Sequence, residues 1–154
     1  MHESVWDYPR PPRVEACDDH VIVRFNGQVL INTVSSFRVL ETSHPPGYYL
    51  PLDAVLPWAL VPTRRRTTCE FKGIAAYFDI VLDGRRADAA AWWYPEPAAG
   101  FEVLRDHVAI YPGLMDECTV NGETVAKQEG DFYGGWITRN IVGPFKGAPG
   151  TLGW

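Results

Sequence analysis

Hydrophobic and polar positions alternate along this chain in short runs, and the runs are separated by dipeptides that turn. His20–Phe25 leads into Asn26-Gly27 and then Gln28–Thr33. Ile80-Val81-Leu82 leads into Asp83-Gly84 and Arg85–Ala89, and Cys118-Thr119-Val120 leads into Asn121-Gly122 and Glu123–Lys127. Asn-Gly and Asp-Gly accept the positive φ that a type I′ turn requires at both central residues, and that turn matches the twist of paired antiparallel strands. Three such signals predict a mostly β, antiparallel chain, with further strands at Ser36–Thr42, His107–Tyr111 and a long, bent Thr68–Leu82. Helical spacing is scarce. Phe101, Leu104 and Val108 follow Gly100 at helical intervals, and Asp53–Leu60 has room for a turn before Pro57 interrupts it. At most two short helical segments are therefore expected.

The period of two also marks where chemistry can sit. In Ser36–Thr42, Phe37, Val39 and Glu41 share one face, opposite Arg38 and Leu40. In Thr68–Leu82 the corresponding row is Lys72, Ile74, Ala76, Phe78, Ile80 and Leu82, apolar at every position but the first. That row is expected to face inward with Lys72 at its head. An acid and a base that each extend a core-facing stripe are costly to bury alone. They either meet across a pair or a lined cavity, or stand at strand ends and reach water. His44 follows in Thr42-Ser43-His44-Pro45-Pro46, where two prolines stiffen the loop. An imidazole on a rigid loop beside a strand-end carboxylate suits proton transfer near neutral pH; its structural alternative is a loop-capping hydrogen bond. Of the other histidines, His107 opens a strand, and His2 and His20 read as surface residues.

Composition narrows the function classes. The 154 residues are 46% apolar and 21% charged, which is globular and not disordered. A net charge of −5 opposes general binding to a phosphate backbone, so Arg64-Arg65-Arg66 is taken as a solvated loop and no nucleic-acid partner is expected. No apolar run approaches the ~20 residues of a membrane helix, and no basic-then-apolar leader is visible, which makes a cytoplasmic protein the expectation. Cys17, Cys69 and Cys118 form no Cys-x-x-Cys pair, so neither disulfides nor a zinc knuckle are predicted, and Cys69 is placed inside a strand as core. Metal-ligand spacings, Gly-x-Gly-x-x-Gly and the P-loop are all absent, and no metal or cofactor is expected. The chain holds six Trp, and its irregular ends, residues 1–13 and 143–154, carry Trp6, Tyr8, Phe145 and Trp154. Free tails have little use for such side chains. The ends are expected to wrap across a single domain, residues 1–154, or across a partner subunit, leaving a homo-oligomer open.

The residues so assembled resemble the DUF427 domain family. The resemblance runs through Val39-Leu40-Glu41-Thr42-Ser43-His44-Pro45-Pro46 with Tyr48-Tyr49, Cys69-Glu70-Phe71-Lys72-Gly73 with Tyr77, Ala91-Trp92-Trp93-Tyr94-Pro95 and His107-Val108-Ala109-Ile110-Tyr111-Pro112. It continues through Phe132-Tyr133-Gly134-Gly135-Trp136-Ile137 and Gly143-Pro144-Phe145-Lys146-Gly147. It implies a single compact domain similar to the β-tent fold, two antiparallel sheets around a pocket. Several β-tent proteins hold zinc through two Cys-x-x-Cys pairs, which this sequence lacks. The family is sometimes filed under a nucleotidyltransferase label, but the Gly-Ser followed by Asp-x-Asp that such enzymes use for magnesium is absent too.

Two function classes follow. The first is a cofactor-independent acid–base enzyme, a dehydratase, lyase or isomerase acting on a small cyclic or aromatic molecule. Glu41, His44, Lys72 and Tyr111 would move protons, and Arg38, Tyr49, Tyr77, Trp92 and Tyr94 would bind the ring. The second is a non-catalytic module that binds the same kind of molecule.

Overall fold

The structure is a computed structural model that describes residues 2–129, 134–148 and 150–154. In chain order the described strands are β1 (Glu3–Ser4), β2 (Arg13–Cys17), β3 (Val21–Phe25), β4 (Gln28–Thr33), β5 (Ser36–Leu40), β6 (Gly47–Pro51) and β7 (Leu60–Cys69). They continue with β8 (Gly73–Leu82), β9 (Arg85–Trp93), β10 (His107–Ile110), β11 (Glu117–Val120), β12 (Glu123–Thr124), β13 (Ala126–Lys127), β14 (Trp136–Ile137) and β15 (Ile141–Val142). About half of the chain is strand. The described residues contain no α-helix, only four single 3-10 turns. Two of these, Leu52–Ala54 and Glu102–Leu104, fall where the sequence left room for a helical turn. The other two, Val5–Asp7 and Pro112–Leu114, had no such signal, and Val108 belongs to β10. No helix among them is long and apolar enough to cross a membrane.

All three short turns form with both central residues at positive φ: Asn26 53° and Gly27 74°, Asp83 48° and Gly84 83°, Asn121 49° and Gly122 82°. They join β3 to β4, β8 to β9 and β11 to β12. The strands assemble into a seven-stranded sheet, β2-β5-β6-β10-β9-β8-β7, and a four-stranded sheet, β12-β11-β3-β4. Alternation along the shared strands separates two apolar layers. Tyr48, Leu50, Val108 and Ile110 pack with Val21, Val23, Phe25 and Leu30 of the smaller sheet in the main core. Val39, Tyr49, Tyr77, Tyr94 and Ala109 gather in a second cluster on the other side of the large sheet.

The long bent strand expected at Thr68–Leu82 is a hairpin. β7 ends at Cys69, and β8 begins at Gly73 with φ +113°, where an added Cβ would lie 3.3 Å from the Glu96 carbonyl oxygen. Lys72 sits in the turn, its own carbonyl accepting from the Ala98 N–H at 2.9 Å. The expected inward row holds only in part: Ile74 is 58% exposed, but Ala76 and Ile80 are buried and Phe78 and Leu82 pack against the main core, while Ala75 and Tyr77 face the second cluster. The pairing with β9 shifts register between Phe78 and Ile80, opposite Ala91 and Ala87, so the extra residues lie on β9 and Ile80 stays on the main-core side with Phe78 and Leu82. Asp79 stabilises the shift, accepting from the N–H of Ala89 at 2.6 Å, and Ala89 takes the positive φ of 47° that the bulged partner strand needs. Arg64, Arg65 and Arg66 belong to β7, where the register shifts between Pro62 and Arg66, and Arg65 lies over the Tyr77 ring at 4.7 Å. All three are exposed to solvent, as expected, but on a strand and not a loop.

The ends fold back on the domain. β1 runs parallel to β15, Val5 and Tyr8 are buried against Leu40 and Ile141, and the Trp6 indole N–H donates to the Pro144 carbonyl at 2.8 Å. Trp6 and Trp154 meet edge to face at 5.4 Å.

Candidate functional site

A cavity of about 400 Å3 opens on the face of the large sheet away from the four-stranded one. The space between the two sheets is filled by the main core, so the pocket lies outside the sheet sandwich and not between the sheets. Its wall includes Glu41, His44, Lys72 and Tyr111, together with Tyr49, Tyr77, Trp92 and Tyr94. Of the residues singled out in the sequence, Arg38 alone stands elsewhere. It alternates with Val39 and therefore takes the opposite face of β5, where its guanidinium bonds Glu15 at 2.9 Å through Nε and Glu3 at 3.2 Å through Nη1. It fastens β1 and β2 to β5, and the expectation that it binds substrate is not supported.

The aromatic wall is interlocked. The Trp92 ring lies 4.5 Å from Tyr111 and meets Tyr49 edge to face at 6.4 Å, with its indole N–H donating to the Tyr49 hydroxyl at 3.3 Å. Tyr49 and Tyr94 are 6.2 Å apart, and the Tyr77 hydroxyl bonds Thr67 Oγ1 at 2.9 Å. Burial raises the phenols of Tyr49, Tyr94 and Tyr111, so near neutral pH they are protonated and offer O–H donors.

The proton-transfer groups come from three places. Glu41 follows β5, His44 rides the loop ahead of the two prolines, and Lys72 caps the β7–β8 turn. Ser43, with φ 69° and no exposure, forces the chain round so that the His44 N–H meets the Glu41 carbonyl at 3.0 Å. His44 Nδ1 lies 2.8 Å from the Thr42 carbonyl and 3.8 Å from the Glu41 carboxylate. A carbonyl can only accept, so Nδ1 carries the proton and the lone pair belongs to Nε2. Glu41 also faces the Arg10 guanidinium at 3.6 Å. Of the alternatives the strand rows left open, Glu41 and Lys72 share a lined cavity and do not form a close pair. The two charges sense each other but lie beyond 4.0 Å, and Lys72 stands 6.0 Å above the Tyr94 ring. Burial works against the Lys72 ammonium, yet Tyr49, Cys69 and Glu41 together more than offset it, and its pKa lies above the ordinary value.

His44 is shifted the other way. Burial pushes its imidazole down, against the pull of Glu41 and the Thr42 carbonyl, and Lys146 and Arg10 push it further. Titration followed by NMR should place His44 below its ordinary value of about 6.5. Glu41→Gln should lower it further, and Arg10→Met should raise it. The stability sign follows. Above the unfolded value both states are neutral; as pH falls through about 6.5 the unfolded imidazole takes up a proton first, so this contribution to stability is lost on acidification.

Several residues at the site had no clear sequence signal. Gln128, 3% exposed, accepts from the Gly135 N–H at 3.0 Å and donates to the Lys146 carbonyl at 2.6 Å, while the Lys146 N–H donates to the Ser43 carbonyl at 2.8 Å. This chain of bonds joins three distant segments behind His44. Gly134 and Gly135 let the backbone lie flush: a Cβ on Gly134 would stand 2.2 Å from Trp92, and one on Gly135 2.8 Å from Pro45. The Gly134-Gly135 pair was visible; its contacts, made by residues far off in sequence, were not. Phe132 and Tyr133 of the same stretch lie outside the described residues. Cys69 closes β7, half-buried against the second apolar cluster, and also lines the cavity wall. Among the described residues no three His, Cys, Asp or Glu side chains come together as a metal site.

Fold and cavity together define a small all-β domain whose large sheet carries a ring-lined pocket with acid and base on its rim. The chain belongs to the DUF427 family, a domain of unknown function, whose model matches residues 13–121. Glu41, His44, Lys72 and Tyr111 all lie within that span. No curated protein matches the chain.

Proposed function

We propose that the cavity binds a small cyclic or aromatic molecule and performs proton transfer on it without a cofactor, as a dehydratase, lyase or isomerase. One observation carries the reading: a neutral imidazole held as the Nδ1–H tautomer beside a carboxylate, on the rim of a pocket walled by Trp92, Tyr49, Tyr77, Tyr94 and Tyr111. In an elimination, His44 Nε2 accepts a proton from a ring-adjacent carbon, the freed electron pair forms the double bond, and hydroxide departs as water with the proton of Tyr111. Glu41 stabilises the imidazolium so formed, and proton exchange with solvent returns both groups to their starting states. Returning the proton to a different carbon gives isomerisation by the same parts. The three unpaired cysteines accord with a reducing, cytoplasmic setting.

The second reading, a binding module, rests on the same aromatic wall. A panel of cyclic and aromatic hydroxy acids and ketones incubated in deuterium oxide separates the two. Acid–base catalysis predicts deuterium uptake or loss of water, reduced about 10²–10⁴-fold in His44→Gln. A ligand recovered without deuterium, and bound equally by wild type and variant, selects the binding module.

A further inference from the structure

We propose that the ring ligand carries an anionic group, a carboxylate in the simplest case, and that Lys72 is its anchor. This rests on the ring-binding reading of the cavity above. The argument is one of unmatched charge. Glu41 has Arg10 at 3.6 Å and His44 at 3.8 Å, so the carboxylate on the cavity rim is answered by cationic or cation-forming groups of the protein itself. Lys72 has no such answer. The Tyr94 ring stands 6.0 Å from its Nζ, and no carboxylate oxygen lies within 4.0 Å of that Nζ among the described residues. The remaining acid on the wall, Glu70, is exposed to water in the same turn.

A ligand anion within hydrogen-bond reach of this partly buried ammonium would supply the close ion pair that no carboxylate of the protein makes. The site therefore discriminates by head group, favouring a ligand that brings the missing charge. An anion at Lys72 also fits proton abstraction at a neighbouring carbon, since the ammonium would offset the charge that builds as the proton leaves. Lys72 is held for this role: its turn is pinned by the Ala98 N–H on its carbonyl and by Gly73 at a φ that a side chain would strain.

The test uses three probes with one ring and different heads: benzoate, benzamide and benzylammonium. Each is titrated against the full chain while the Trp92 indole N–H resonance is followed. Wild type should bind benzoate at least tenfold more tightly than benzamide. Lys72→Met and Lys72→Gln, each shown to be folded by its melting transition, should bring benzoate to the benzamide level and leave benzamide unchanged. A purely structural Lys72 would shift both probes alike. Equal binding of benzoate and benzamide by wild type overturns the proposal while leaving the ring pocket standing, as does a benzoate preference that survives in both variants. A preference for benzylammonium overturns it in favour of Glu41 as the head-group selector. If no probe moves the Trp92 resonance, the ring-binding reading falls and this proposal with it.

Discussion

Trp136→Ala should lower the unfolding free energy by about 3–5 kcal/mol, the range found when a large buried aromatic is truncated. Trp136 is 1% exposed and stacks on Tyr48 at 4.9 Å, and its indole N–H donates to the Ile110 carbonyl at 3.1 Å. Truncation therefore leaves a cavity in the main core and a carbonyl without its donor. Against a total of about 5–15 kcal/mol for an ordinary domain, the variant would be marginal. The effect reaches the pocket because the backbone of Trp136 is part of the scaffold: its N–H donates to the Pro46 carbonyl at 2.9 Å, and β14 pairs with β13 through Lys127. Trp136→Phe keeps most of the stacking and loses the hydrogen bond, so its deficit should be smaller, about 1–3 kcal/mol. Urea unfolding of both variants is the measurement. A loss under about 1 kcal/mol for the alanine variant would mean that Trp136 does not pin this region.

What could be read from the sequence was local, and what was missed depended on contacts between distant segments. The three short turns depend only on two residues each, and all three stand where Asn-Gly and Asp-Gly put them. The Phe37-Val39-Glu41 row is likewise a property of one strand, and Val39 and Glu41 do line the cavity. The single strand expected over Thr68–Leu82 failed because a turn between Cys69 and Gly73 divides it, and neither that turn nor the bulge in the partner strand is marked strongly. Gly73 is the one glycine in the stretch, and the bulge follows from Asp79 bonding the backbone of β9. Lys72 was thus brought to the pocket by a turn, although Phe78, Ile80 and Leu82 of the row that pointed to it face the main core on the other side of the sheet. Arg38 was misplaced for the converse reason: its own strand put it on the face opposite Glu41, and the acids that hold it, Glu3 and Glu15, lie on other strands. The tie from Gln128 through Lys146 to Ser43 joins three segments distant in sequence, and no periodicity reports such a bond.

Gly134→Ala should reduce binding of a ring probe such as benzamide by tenfold or more while leaving the domain folded. The added Cβ would stand 2.2 Å from Cη2 of Trp92 and 2.9 Å from its Cζ3, distances at which an atom must move. Trp92 has little room to yield. On one side its indole N–H is bonded to the Tyr49 hydroxyl at 3.3 Å, and on the other its ring lies 4.5 Å from Tyr111. Displacement towards either partner narrows the cavity, and displacement of residue 134 strains the neighbouring Gly135, whose N–H is fixed to Gln128. Overpacking of this kind costs about 1–3 kcal/mol, tolerable for a domain of this size. Gly122→Ala is the matched control. Its Cβ would meet nothing within 4 Å, and φ is +82°, so only the backbone penalty of about 1 kcal/mol applies and the pocket is untouched. Thermal unfolding and probe titration on the two variants therefore diverge: both lose some stability, and Gly134→Ala alone loses the ring. Wild-type probe affinity in Gly134→Ala would show that the Gly134 segment does not form the wall against which the Trp92 ring is set.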